Sequence, residues 1–422
     1  MSGNSFDNSN PLAETLLSNI VGGFDTEQSG ASSVFSYTQG ATFGAVTSGY
    51  NEVVINSAVS GTVSLPAAYP VFYDAAVTPL TVIGGVGVGD QAVVAGSGGL
   101  DYDFNGGNGV IYTGNAPVDG VAATGDTIFV DGPGTSFVAA GEGDDTVVVS
   151  AGTNYIADGA GANQIFLEAG SNLVGSEGND QIVMGTGSAA ASGSATISLS
   201  GSTSVYGGSG SLLLLNGAGN SFLYPQADSV TGLASSTGTD TVFGGTGGGA
   251  YYGGSGGNNI MLAGTQATSL IGGGAGDVLY AFGSGNDVLE ANGGNEVLVG
   301  SAGTGNNTYF AGTGDDFIAG GGGADTYVAS TGDSTMTAGV GADQFDFTNG
   351  QVGGLDVIYG FKVGVDQVNL FGYDTDGASA AANALAQAAA NSAGGSTFVT
   401  LADNTTIYFL DTPQLTSTSF TG

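Results

Sequence analysis

Short runs of β-branched, aliphatic and aromatic residues recur along most of the chain, each closed by glycine, asparagine, aspartate or serine. TIFV (127–130), TVVVS (146–150), QIFLEA (164–169), SLLLLN (211–216), DVLYA (277–281) and EVLVG (296–300) are examples. Runs of four to six residues bounded by turn formers predict strands joined by tight turns. From Ser33 to about Tyr112 similar runs (VFSYT, EVVIN, GTVSLP, PVFYDA, LTVIGG, QAVVAG) predict longer, less regular coils. Helical patterning is confined to the ends. Asn10 can cap a helix that has Pro11 in its first turn, Leu12, Leu16, Leu17 and Ile20 on one face, and Gly22 after it. An alanine-rich stretch predicts a second helix over about 378–392, and FVTLADN and TIYFLDT then read as a hairpin.

Within 303–347 the pattern falls into strict phase. GTGNNTYFA, GTGDDFIAG, GGGADTYVA, STGDSTMTA and GVGADQFDF follow one another, with glycine at 305, 314, 323, 332 and 341. The glycines are expected to supply positive-φ turns, and the apolar residue that closes each short strand is Tyr309, Ile318, Tyr327, Met336 or Phe345. A Gly-x-Gly-x-Asp-x-apolar unit repeated at this period is the sequence form of a parallel β-solenoid that binds calcium in its turns. Two nine-residue units make an 18-residue coil, so Asp325 is expected over Asn307 and under Asp343, and Asp316 over Glu296 and under Ser334. Two carboxylates about 5 Å apart repel by roughly 3 kcal/mol at an effective dielectric near 20. The chain offers little to offset this: Lys362 is its one basic residue, histidine is absent, and net charge is -36. A hard divalent cation with an all-oxygen shell is the fitting countercharge, and calcium suits carboxylates and carbonyls best.

These residues resemble the RTX family, glycine-rich nonapeptide proteins exported by Gram-negative bacteria, with the pattern G-G-x-G-x-D-x-U-x. The resemblance implies an all-β, right-handed parallel β-solenoid with Ca2+ between successive coils, held by the residue at position six and by turn carbonyls. Position six is Asp287, Asn307, Asp325 and Asp343 on one edge, and Glu296, Asp316 and Ser334 on the other. Earlier units (AGEGDDTVV, DGAGANQIF, GSEGNDQIV) place Asp145, Asn163 and Asp180 there. Between Gly185 and Gly238 that place almost never holds Asp, so coils bonded by strand ladders and stacked Asn, Ser or Thr are expected, with little or no metal. The segment GGLDVIYGFKVGVDQVNL is similar to the one that seals RTX solenoids, with Asp356 and Asp366 at the acidic positions. The tail LTSTSFTG is similar to uncleaved type I secretion signals, and MSGNSFDNSN lacks the basic and apolar regions of a cleavable signal peptide.

The expected organisation is a polar segment with a short helix (1–30), an irregular solenoid start (31–112), the main solenoid (113–347, clearest over 276–347) and a C-terminal segment of helix plus hairpin (348–422). The uniform bias favours one elongated body.

Composition then narrows the function. With no His and no Cys, zinc-protease, Ser-His-Asp and Cys-His chemistries lack their parts, and Lys362 reads as a solvent-facing charge rather than a catalytic group. Acidity argues against nucleic acid and against anionic membranes, and no apolar run is long enough to span a bilayer. Catalysis is not expected. The reading that fits is a secreted, extracellular or cell-surface structural protein that assembles with itself into a surface layer or filament. The alternatives are a calcium-dependent adhesin or glycan-binding module and, further off, a polysaccharide-modifying enzyme. Thr308, Thr326, Thr335 and Thr337 form no two-column array, which lowers an ice-binding reading.

Overall fold

In the computed structural model, residues 34–39, 52–55, 59–65, 71–74, 78–84, 91–95, 99–105, 108–113, 125–185, 193–208, 210–225, 229–233, 237–300, 304–374, 379–392 and 394–421 are described. The helix expected near residues 10–22 lies outside them. The chain forms two compact units, residues 1–222 and 223–422. In each, short strands alternate between two largely parallel sheets, and a typical strand pairs with the strand one coil earlier and the strand one coil later. This is the all-β parallel solenoid expected from the repeat.

In the first unit Thr135–Ala140, Thr153–Ala157, Ser171–Ser176 and Ser194–Leu199 stack in one sheet. Thr127–Asp131, Thr146–Val149, Gln164–Leu167 and Gln181–Met184 stack in the other. Pairing is continuous across residue 112, since Gly109–Thr113 pairs with Gln91–Ala95 and with Thr135–Ala140. The period-two alternation of the sequence decides what each strand buries: Val147, Ile165 and Ile182 lie in register and are fully buried. In the stretch poor in aspartate, Ser194–Leu199 pairs with Ser211–Asn216, and hydroxyls do bridge coils: Ser171 Oγ lies 3.3 Å from Ser194 Oγ, and Asn220 N–H donates to Ser202 Oγ at 3.2 Å.

The second unit carries the strict repeat. Leu289, Tyr309, Tyr327, Phe345 and Val368 form one buried column, and Ile318, Met336 and Ile358 another. Tyr327 stacks on Phe345 with centroids 4.5 Å apart, and on Tyr309 at 5.3 Å. The Tyr327 hydroxyl donates to the Thr337 carbonyl at 2.8 Å. Room for these hydroxyls comes from glycine: a Cβ at Gly320 would fall 1.8 Å from the Tyr327 hydroxyl, and one at Gly300 2.2 Å from that of Tyr309.

The repeat glycines act differently from expectation. None of Gly305, Gly314, Gly323, Gly332 and Gly341 has a positive φ. They are required by the approach of neighbouring coils. A Cβ at Gly314 would lie 1.4 Å from the Gly294 carbonyl oxygen, and Cβ atoms at Gly305, Gly323 and Gly341 would lie 1.8, 2.0 and 1.9 Å from the carbonyls of Gly285, Gly305 and Gly323. Parallel stacking at strand spacing leaves no space for a methyl group there.

At the C-terminal side Ala380–Ala390 is helical, with Ser379 as N-cap and Ala380, Ala384 and Ala388 buried at four-residue spacing. Thr397–Thr400 and Thr406–Leu410 form the expected hairpin. The pair of strands expected to end the stack does not end it. Leu355–Tyr359 receives Thr406–Leu410 as a further parallel strand, and Val368–Asn369 receives Phe420–Thr421. The helix packs against both Thr397–Thr400 and Phe420–Thr421, and Phe361, Phe409 and Phe420 make successive edge contacts below.

Because Gly314 abuts a backbone oxygen, Gly314→Ala should lower unfolding stability by about 3 kcal/mol. Gly293→Ala, whose Cβ meets nothing nearer than 3.6 Å, should be nearly neutral. Thermal melts of the two variants compare them directly.

Candidate metal-binding turns

Position six of each unit stands at or next to the start of its strand, two residues before the buried position-eight side chain, and therefore points to the same interior side. Asp287, Asn307, Asp325, Asp343 and Asp366 are all buried and form one column; Asn259, Asp277, Glu296, Asp316, Ser334 and Asp356 form the second column of that unit. In the first unit Asp126, Asp145, Asn163 and Asp180 form a corresponding column. The stacking of Asp325 between Asn307 and Asp343, and of Asp316 between Glu296 and Ser334, is as expected, with the step from Glu296 to Asp316 spanning 20 residues where the strict repeat has 18.

Asp277, Asp316, Asp325, Asp343 and Asp366 each accept from two amides, one of the preceding coil and one of their own turn. Asp325 Oδ1 accepts from Asn307 N–H of the preceding coil at 2.8 Å, and its Oδ2 accepts from Gly321 N–H of its own turn at 2.8 Å. Asp343 repeats the arrangement with Asp325 N–H (3.0 Å) and Gly339 N–H (2.9 Å), and Asp366 with Asp343 N–H (3.0 Å) and Lys362 N–H (2.7 Å). On the other edge Asp316 takes Glu296 N–H at 2.9 Å and Gly312 N–H at 2.7 Å. Asp287 takes Thr268 N–H, and Asn307 takes Asp287 N–H. In the first unit Asp145, Asn163 and Asp180 accept from Asp126, Asp145 and Asn163 at 2.7, 2.8 and 2.9 Å.

A second ladder was not anticipated. Position five, one residue earlier and exposed, carries Asp144, Asn286, Asn295, Asn306 and Asp333, whose side-chain oxygens accept amide hydrogens from the following coil. Asn306 Oδ1, for instance, takes Ala324 N–H at 2.8 Å. Adjacent residues thus reach in opposite directions along the stack. The enrichment of Asn and Asp just before position six was the available signal.

Amide donors do not fully satisfy the buried acids. Asp145 Oδ2, Asp158 Oδ2 and both carboxylate oxygens of Glu296 and of Asp356 meet no hydrogen-bond partner of good geometry. Burial, the dominant cause, pushes Asp180, Asp287 and Asp325 up to about 6, Asp145 to about 7, and Glu296 and Asp356 to about 8. Asp343 moves the same way, and Lys362 acts against that shift.

Lys362 is not the solvent-facing charge expected from sequence. It is half-buried, and its ammonium donates to the Gly339 carbonyl at 2.5 Å, in the turn whose amide binds Asp343. The single basic side chain therefore sits where a turn carbonyl and a buried carboxylate draw positive charge. Calcium fits that donor chemistry: hard oxygens from carboxylates and glycine carbonyls, with unpartnered acid oxygens behind them. Among the described residues no three acidic side chains converge on one point, so carbonyls would have to complete the shell. Asp287, Asn307, Asp325 and Asp343 on one edge, Glu296, Asp316 and Asp356 on the other, and Asp145, Asn163 and Asp180 in the first unit are the side chains that would hold it. The bound cation would supply the countercharge these columns lack.

The sign of the pH response follows. A carboxyl group with a raised native pKa favours the fold when protonated, so its contribution is complete below about 4 and is lost as pH rises through 6 to 8. In chelator, circular dichroism should therefore show more β structure and a higher Tm at pH 5 than at pH 8.5, and millimolar calcium should abolish the difference. Equal apo stability at both values would mean that the amide donors alone hold the columns.

No curated protein matches the chain. The family model described as RTX calcium-binding nonapeptide repeat (4 copies) matches residues 139–174, 271–304, 301–336 and 320–351, which include the columns at Asp145–Asn163 and at Asp277–Asp343. Among the described residues no helix is long and apolar enough to cross a membrane. The chain carries RTX calcium-binding nonapeptide repeats, folded as a parallel β-solenoid.

Proposed function

We propose that this is a secreted calcium-binding structural protein that assembles with copies of itself outside the cell, as a surface layer or filament. The observation that carries the reading is the set of buried acid columns in a chain whose only basic side chain is already engaged at Gly339. Extracellular calcium supplies the missing charge at millimolar levels, the range in which extracellular calcium modules bind. The general right-handedness of parallel crossovers supports a right-handed coil. The hydroxyl-rich tail supports export by a type I system.

The C-terminal end of the second unit is a poor surface for assembly. Helix Ala380–Ala390 lies against the last strands, which leaves little edge to extend on that side. The outer face of one sheet in the second unit offers more. Ile260, Val278, Val297 and Phe317 share one column of its register, and Leu262, Tyr280, Val299 and Ala319 the next. Ile260, Tyr280 and Phe317 are each about two-fifths exposed (41%, 38% and 43%), and no charge interrupts these columns. An uncharged apolar face on so acidic a chain supports lateral contact between copies. A calcium-dependent adhesin binding surface glycan is the second reading, supported by the exposed aromatics Tyr252, Tyr280 and Phe282.

Electron microscopy of the purified chain with and without millimolar calcium separates the two: ordered polymers only with calcium support assembly, and persistent monomers that bind glycan support the adhesin. For the columns themselves, Asp325→Asn with Asp343→Asn keeps one acceptor oxygen per turn, as Asn307 does naturally, and removes two charges. The calcium concentration at half-folding should rise tenfold or more. An unchanged midpoint would assign Asp325 and Asp343 to hydrogen bonding alone.

A further inference from the structure

The first unit contains one acid where the repeat has glycine. In DGAGANQIF, Asp158 stands at position one while Asn163 replaces the usual acid at position six. Asp158 is 2% exposed, and its Oδ1 accepts from Glu177 N–H of the next coil at 2.8 Å. That contact carries its carboxyl group into the turn 175–180, which ends in Asp180. Its Oδ2 meets no donor in hydrogen-bond geometry, and its neighbours are the Asp180 carboxyl group and the side-chain amide of Asn163.

The turn of Asp180 is also built differently from those of the second unit. At Asp277, Asp316, Asp325, Asp343 and Asp366, Oδ2 accepts the main-chain N–H four residues back. At Asp180 the Ser176 hydroxyl takes that place, 2.5 Å from Oδ2. Asn163 points its amide away from this pattern, donating to the Gly159 carbonyl at 3.1 Å, and its Oδ1 is occupied by Asp145 N–H. Two buried carboxyl groups from successive coils therefore meet with a hydroxyl and an amide beside them, and one carboxylate oxygen is left over.

We propose that Asp158 and Asp180 form a cation site of their own, in which the acid missing at Asn163 is supplied from position one, and that it takes a hard divalent ion such as calcium. The proposal rests on the calcium reading above, and it adds a ligand that the nonapeptide pattern does not contain. Ser176 Oγ and turn carbonyls are the additional oxygens within the site. The competing occupant is a single proton shared by the two carboxyl groups.

Native mass spectrometry of the full chain in calcium counts bound ions. Asp158→Asn should hold one calcium fewer than the parent chain, while Asp144→Asn, on the exposed position-five ladder, should leave the count unchanged. An equal count for Asp158→Asn and the parent overturns the site and leaves the general calcium reading standing. A parent chain that binds no calcium overturns both. Should Asp158→Asn fail to fold, crystals of the parent chain soaked in terbium decide: an anomalous peak bridging Asp158 and Asp180 supports the site. Carboxyl oxygens in direct contact, with peaks only at other turns, assign the pair to a shared proton instead.

Discussion

In the described acid-bearing coils the start of the strand is buried, and the position-six main-chain N–H points along the stack to a side-chain oxygen of the next coil. A carboxylate at position six suits this place because its two oxygens take two amides at once, one from the preceding coil and one from its own turn. Asparagine does half of this. Asn163 accepts Asp145 N–H through Oδ1, but its amide nitrogen has to find an acceptor and turns to the Gly159 carbonyl. The hydrogen-bond arithmetic of the turns thus favours acid over amide. The resulting charge has to be neutralised by something outside the polypeptide.

The same close stacking governs the interior. Coils approach until glycine Cα atoms sit against the carbonyl oxygens of the preceding turn, as at Gly314 over Gly294. The interior is filled by stacked aliphatic side chains and, in the strict repeat, by flat ones lying over one another, Tyr309 on Tyr327 on Phe345. Their hydroxyls need space, which Gly300 and Gly320 provide. Aromatic column, glycine pair and acid column are therefore parts of one solution. Enlarging Gly300, Gly314 or Gly320 would displace a carbonyl or a tyrosine hydroxyl.

Much of this was legible in the residues. The nine-residue phase fixed the register, and the observed offset of 18 between Asn307, Asp325 and Asp343 is twice that phase. Strand positions followed from alternation, and the C-terminal helix from its alanines. The inward direction of position six was legible in principle, since it lies two residues from position eight and extended backbone puts both on one side. Reading the repeat as one that binds calcium in its turns left that inward direction unread. The role of the repeat glycines was misassigned because sequence shows that glycine is required without showing whether φ or space is the reason. Lys362 and Asp158 could not be placed from the chain alone: each depends on which turn lies one coil away, and that offset departs from 18 outside the strict repeat. Asp158 reaches Glu177, 19 residues on, and Lys362 reaches Gly339, 23 residues back.

The position of the acids also changes how calcium and assembly are connected. Were the carboxylates on the surface, calcium would promote contact between chains by screening their repulsion, and any salt would do the same in part. These carboxylates are buried, so a cation among them acts on folding. The apolar columns through Tyr280 and Phe317 exist as a face only when successive coils are in register. On the proposed reading, assembly is therefore downstream of folding. Calcium stabilises the coil by binding the folded state, the folded coil presents the face, and the concentration dependence of assembly inherits that of folding. A monovalent salt can lower repulsion between chains at a net charge of -36, but it cannot create that face.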